Sequence, residues 1–155
     1  MLHDLRAPSR PGRFMTAPLA VACAVTFVWL GMVLAISFLE APLKFRAPEV
    51  TLRIGLGVGR LVFGALNTVE AVFAATLVVC VIIAPAAAWI MTSALVAVTI
   101  LGVQLVLVRP RLARRTNRIL AGAPAQRSGG HHVYVALETG KCMMLIISGI
   151  LLLST

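Results

Sequence analysis

Residues 61–84, LVFGALNTVEAVFAATLVVCVIIA, and residues 86–108, AAAWIMTSALVAVTILGVQLVLV, are joined by Pro85 alone and carry one formal charge, Glu70. A hydrocarbon core about 30 Å thick is crossed by roughly 20 helical residues at 1.5 Å each. Each run is therefore one span, and the near-absence of a loop at Pro85 predicts a tight antiparallel hairpin. Two further runs of the same kind flank the pair, residues 17–39 and 133–153. In lipid every backbone N–H and C=O must be satisfied within the segment, so apolar runs of this length form helices. The expected fold is all-α: a polytopic, left-handed bundle of four transmembrane helices, with residues 1–155 forming one membrane domain.

Composition agrees. Of 155 residues, 60% are hydrophobic and 12% charged, with a mean hydropathy of +0.99. Soluble domains carry about 25% charged residues, and a chain this short has too little interior to hide so much apolar surface from water. The net charge of +9 comes from 14 Lys and Arg against 5 Asp and Glu. Its basic segments lack the stacking aromatics of nucleic-acid modules, so no nucleic-acid partner is expected. Basic connectors between apolar spans instead fit orientation and contact with anionic headgroups. The odd number of cysteines, Cys23, Cys80 and Cys142, all in apolar runs, implies no disulfide framework.

Lys44, Arg46 and Arg53 in the first connector join Arg109, Arg111, Arg114, Arg115, Arg118 and Arg127 in the third. Against them stand Arg6, Arg10 and Arg13 of the amino-terminal tail. The balance predicts a multi-pass protein of the plasma membrane, with the first and third connectors in the cytoplasm. The first span is longer than a signal-peptide core and reads as retained. Two stretches read as interfacial. Pro48-Glu49-Val50-Thr51 resembles a helix start that runs along the surface into the second span. Residues 111–121 set Leu112, Ile119 and Leu120 among arginines, a basic amphipathic extension of the third helix.

Ionisable groups inside a span are costly and require a partner or a purpose. Here Asn67 and Glu70 lie in the second span, Glu138 and Lys141 in the fourth, with Arg60, Glu40, Gln104, His131 and His132 toward the span ends. All lie toward the side of the first and third connectors. Counted inward, Glu70 and Lys141 lie about 13 and 12 Å deep, Asn67 and Glu138 about 9 and 8 Å. Arg60, Asn67 and Glu70 share one helical face, as do His131, Glu138 and Lys141. The two stripes are expected to face each other, pairing Glu70 with Lys141 and Glu138 with Arg60, Asn67 or a histidine. The result is a cytoplasm-facing polar pocket under an apolar half whose only polar side chains are Thr, Ser and Trp. Arg60, Asn67, Glu70, His131, Glu138 and Lys141 are the candidate ligand- or proton-binding residues, with no catalytic residue assigned.

Each also has a plainer reading. Polar pairs register helices in membrane bundles, and Arg60 at a span mouth snorkels to headgroups. His131 and His132 could bind metal with Glu138, but an adjacent pair at a span mouth reads as interfacial, so no metal is expected; the residues identify no cofactor. Gly55 and Gly59 in GLGVG follow no strand, and they read as a small-residue packing face rather than a phosphate loop.

Two resemblances attach to these residues. Trp29-Leu30-Gly31-Met32, Phe38-Leu39-Glu40-Ala41-Pro42-Leu43-Lys44-Phe45, Arg60-Leu61-Val62-Phe63, Arg109-Pro110 and the stretch from His131 to Lys141 together cover most of the chain. They resemble a group of small four-helix membrane proteins classed as domains of unknown function, which implies a fold and a location but no chemistry. More locally, Arg60-x6-Asn67-Thr68-Val69-Glu70 is similar to the second-helix signature of the membrane-associated eicosanoid and glutathione metabolism family, trimers of four-helix chains. That resemblance implies glutathione binding by Arg60, Asn67 and Glu70 between subunits. The third span departs from it, having neither the Arg nor the aromatic-polar cluster of that family.

The expected function is a binding or accessory subunit. The alternatives are proton- or ion-coupled transport of a small solute, and a glutathione-dependent membrane enzyme. The expected assembly is a homo-oligomer or a larger membrane complex.

Overall fold

A computed structural model describes residues 15–84, 87–122 and 130–155. The hairpin turn at Pro85, the tail arginines, Arg127 and the side chain of His131 lie outside the described residues. Four helices long and apolar enough to cross a membrane make up nearly all of the rest: α1 (Ala17–Lys44), α2 (Leu52–Ile83), α3 (Ala88–Leu120) and α4 (Gly130–Leu153). The all-α, four-helix expectation holds. The closest packing joins α1 to α2, α1 to α4 and α3 to α4, so α2 and α4 stand on a diagonal.

The helices outrun the hydrophobic segments at the end that bears the first and third connectors. The helix start read over Pro48–Thr51 comes at the end of that stretch, and the helix runs on into the second span as expected. Glu49 takes a left-handed φ of 65°, and α2 begins only at Leu52, where the Thr51 hydroxyl accepts a hydrogen bond from the Ile54 N–H at 3.3 Å. A hydroxyl cap supplies an acceptor to one of the orphan donors of the first turn. From there α2 runs unbroken for 32 residues, about 48 Å. The basic extension of α3 does form, continuous with the span: Arg111, Arg114 and Arg118 are exposed, while Leu112, Ile119 and Leu120 are half-buried.

Two helices contain π-helical stretches, Leu34–Glu40 in α1 and Gln104–Val108 in α3. Each is followed within two residues by a proline, Pro42 or Pro110. Proline lacks an N–H and its ring collides with the carbonyl four residues back. Widening the preceding turns to an i→i+5 pattern accommodates it without breaking the helix.

Hydroxyls on these helices are satisfied locally. Thr68, Thr92, Thr99 and Thr139 are exposed and Thr76 half-buried, yet each donates to the carbonyl four residues back, at 2.7–3.3 Å. In lipid this removes a donor that water cannot serve. Large apolar side chains cover the outside, among them Leu61, Ile82 and Val106. The interior toward the ends of α2 and α4 is apolar, packed around Ala22, Leu77, Ile90, Leu145 and Leu152. One buried bond there, from Ser148 Oγ to Ser93 Oγ at 2.8 Å, ties α4 to α3.

The expected glycine face is used, but by the chain's own connector. A Cβ at Gly55 would overlap the Phe45 ring, and one at Gly59 would meet Lys44 Nζ at 2.9 Å. Gly149 does serve helix packing: a Cβ there would lie 2.7 Å from the Phe27 ring of α1. Gly149→Val is therefore expected to destabilise the bundle by about 1–3 kcal/mol through overpacking. Gly102→Val, at a site with open space, should show a far smaller shift in the same detergent unfolding experiment.

Candidate functional site

Midway along the bundle, all four helices send a polar side chain to one point. Lys141 of α4 is wholly buried, and Glu70, Glu138 and Gln104 are each exposed by 2% or less. The Lys141 ammonium has three N–H donors and three acceptors around it: Glu70 Oε1 at 2.5 Å, Glu138 Oε2 at 2.5 Å and Gln104 Oε1 at 3.0 Å. The expected Glu70–Lys141 pairing across α2 and α4 is present, with Lys141 spanning the diagonal.

Glu138 corrects the other pairing. Its partners are other than the expected Arg60 or Asn67 of α2. Oε1 accepts from Ser37 Oγ at 2.8 Å and from the Tyr134 hydroxyl at 2.5 Å. Oε2 accepts from Gln104 Nε2 at 3.0 Å as well as from Lys141. Two of these partners, the i,i+3 cation and the i,i−4 phenol, stand on its own helix, where neighbours one turn away meet. Glu70 is held at Oε1 by a second donor, Trp29 Nε1, at 2.9 Å. The sequence places Trp29 in the apolar half, but its indole belongs to the cluster. At 1.5 Å per residue, Trp29, Glu70 and Lys141 lie about 18–20 Å from the Ala17, Ile83 and Leu153 helix ends. The matched depth read from the sequence reflects this shared level.

Ser37 and Gln104 both lie in the π-helical stretches. A π turn absorbs one extra residue, which rotates the remainder of the helix by about 100° relative to a regular one.

An aromatic and cationic layer closes the cluster toward the connectors. Phe63 and Tyr134 meet edge to face with centroids 5.9 Å apart. The Arg109 guanidinium donates to the Phe63 carbonyl at 2.5 Å and lies 5.6 and 6.0 Å from the two rings. Lys44 pairs with Glu40 at 3.2 Å and covers Phe63 from 5.1 Å. Such cation–π contacts each contribute about 0.5–2 kcal/mol.

The remaining candidates are placed elsewhere. Arg60 is exposed and donates to Asn117 Oδ1 of α3 at 3.0 Å. Asn67 is half-buried, and its side-chain oxygen is buried without a hydrogen-bond partner. His132 is exposed. Cys142 lies beside Lys141 on α4, buried and reduced, as are Cys23 and Cys80. Among the described residues no group of three His, Cys, Asp or Glu is arranged to hold a metal.

Sequence reasoning finds Glu70, Glu138 and Lys141 because charge in an apolar run is conspicuous. It reaches Gln104 by depth alone and misses Ser37, Trp29 and Tyr134 as ligands. Tyr134 was within reach, since it lies one turn before Glu138. Compared with family models, with curated proteins and with solved structures, the chain matches none of them.

Proposed function

We propose that the chain is a multi-pass plasma-membrane protein serving as a binding or accessory component of a membrane complex. Its first and third connectors lie in the cytoplasm, where exposed Arg46, Arg53, Arg111, Arg114 and Arg118 meet anionic headgroups. One observation carries the reading. The three N–H groups of Lys141 and both oxygens of Glu138 are spent on neighbours within the chain. Contacts of this kind hold four helices in register, and they leave neither the Lys141 ammonium nor the Glu138 carboxylate open to a reacting substrate. The outward lipid-facing surface is then the part left for partners.

The test is purification of the tagged chain from its own membranes in mild detergent, with mass measurement of the intact assembly. A partner in fixed stoichiometry supports the reading; a monodisperse particle of this chain alone overturns it.

Proton-coupled transport is the second reading, favoured by two buried carboxylates facing a single buried ammonium. Proteoliposomes in which Glu70→Gln leaves proton flux unchanged would end it. No comparable observation favours the glutathione reading, because Arg60 turns away to Asn117.

A further inference from the structure

Charge at the connector end of α2 and α3 has one sign. Residues 88–120 contain no Asp or Glu, and α2 has none before Glu70. Against this stand Arg53 and Arg60 of α2 and the arginines of the α3 extension. Of the nearby acids, Glu40 is paired with Lys44 at 3.2 Å, and Glu49 lies in the first connector.

Arg60 differs from the other arginines in its anchor. Its Nη1 donates to Asn117 Oδ1 of α3 at 3.0 Å, a neutral acceptor that orients the guanidinium without cancelling its charge. The bond takes one of the five N–H donors of a guanidinium and leaves a planar fork that matches a phosphate. It also crosses between two helices that pack chiefly on others, α2 on α1 and α3 on α4. At 100° per residue, Arg114 stands about 60° round α3 from Asn117, and Arg111 and Arg118 lie within about 60° of Arg114. All three are exposed.

Depth selects the partner. Glu70 and Gln104 both bond Lys141. Arg60 and Arg114 each come ten residues beyond them toward the connectors, about 15 Å. The cluster is about 18–20 Å from the opposite helix ends, so both residues stand about 33–35 Å from those ends. That is just past a hydrocarbon core about 30 Å thick, in the headgroup layer. Exposed apolar side chains lead into it: Leu61 follows Arg60, and Val106 and Leu107 precede Arg114 by about two turns. Acyl chains cover such a surface and a soluble anion does not.

We infer that Arg60, held by Asn117, forms with Arg114 and Arg118 a binding site for one anionic phospholipid. Its headgroup phosphate joins α2 to α3, and its acyl chains lie along Leu61, Val106 and Leu107. Basic sites between membrane helices recognise headgroups in this way. The inference rests on the reading that the basic connectors meet anionic headgroups, and it adds to that reading a defined, saturable site. It requires neither a particular side of the membrane nor a partner protein.

Native mass spectrometry of the purified full chain in detergent, titrated with phosphatidylglycerol or phosphatidylcholine, tests it. Both lipids carry a phosphate, and only the first is a net anion. One phosphatidylglycerol should stay bound, about tenfold more tightly than phosphatidylcholine. Arg60→Gln and Arg114→Gln should each weaken it about fivefold, the effect of one basic residue near anionic lipid. Asn117→Ala removes no charge, yet it should weaken binding about threefold, the effect of one lost hydrogen bond. Arg46→Gln removes an equal charge from the end of α1, the helix diagonal to α3, and should change binding by less than about twofold. All four residues are exposed, so each variant should keep the helical content of the parent.

No retained lipid, or equal binding of the two lipids, overturns the proposal. So does a loss in Arg46→Gln as large as that in Arg60→Gln, which would mean that net charge alone attracts lipid. Unchanged binding in Asn117→Ala overturns it too, because the anchored arginine is what makes the site. Displacement of the lipid by inorganic phosphate would make a soluble anion the ligand and overturn the lipid as occupant. A chain without any protein partner would end the accessory reading and leave each of these outcomes as stated.

Discussion

Lys141→Met is expected to destabilise the bundle by about 3–5 kcal/mol, the loss typical of removing one partner from a buried ion pair. Methionine fills much of the same volume, so the effect isolates the ammonium. Its removal takes one donor each from Glu70, Glu138 and Gln104, and it leaves two carboxyl groups in a dry interior with no cation between them. Reversible unfolding in mixed micelles measures the difference. A loss below about 1 kcal/mol, the usual effect of an exposed pair, would show that water reaches the cluster. Because Lys141 alone touches both acids, the loss should exceed that of any single substitution at the Lys44–Glu40 pair, which is partly exposed.

Glu138→Ala should cost a comparable amount for a different reason. Here the donors are stranded: Ser37 Oγ, the Tyr134 hydroxyl and Gln104 Nε2 lose their acceptor, and Lys141 keeps only Glu70 and Gln104. Each buried donor left without a partner costs about 1–3 kcal/mol, partly recovered as side chains rotate, so about 3–5 kcal/mol is expected in total. Hydrogen exchange should locate the damage. Two of the stranded donors, Ser37 and Gln104, lie in the π-helical stretches of α1 and α3. Amides across 34–40 and 104–108 should therefore lose protection before those near Leu77 or Leu145. Combining Glu138→Ala with Lys141→Met should cost clearly less than the sum, since both remove the same ion pair. Additive losses would mean that the two residues act in separate networks.

The parts of the site that were legible in the sequence share one property: they are charges where charge is expensive. Glu70, Glu138 and Lys141 stand out in apolar runs, and their register on α2 and α4 points to the Glu70–Lys141 pair. Trp29 and Ser37 are common residues in any membrane helix, and nothing in their spacing distinguishes a ligand from a lipid-facing side chain. The clearest unread signal is the repeated proline. Pro42 and Pro110 each follow a polar residue by about a turn and a half, and each sits just past a π-helical stretch. Prolines so placed mark where the helix must widen just before them.

By itself the sequence determined the four helices, because backbone hydrogen bonds in lipid admit little else and long apolar runs are unambiguous. It also determined the common depth of the buried charges, since rise per residue along a helix is fixed. Only the tertiary structure decided which helices are neighbours, how each is rotated, and so who meets Glu138. Those choices depend on packing between helices: Gly149 receiving Phe27, Gly55 receiving Phe45, and two proline-widened turns. A linear pattern of polar and apolar residues carries the axial coordinate of a side chain faithfully and its azimuth only as far as the helix stays regular.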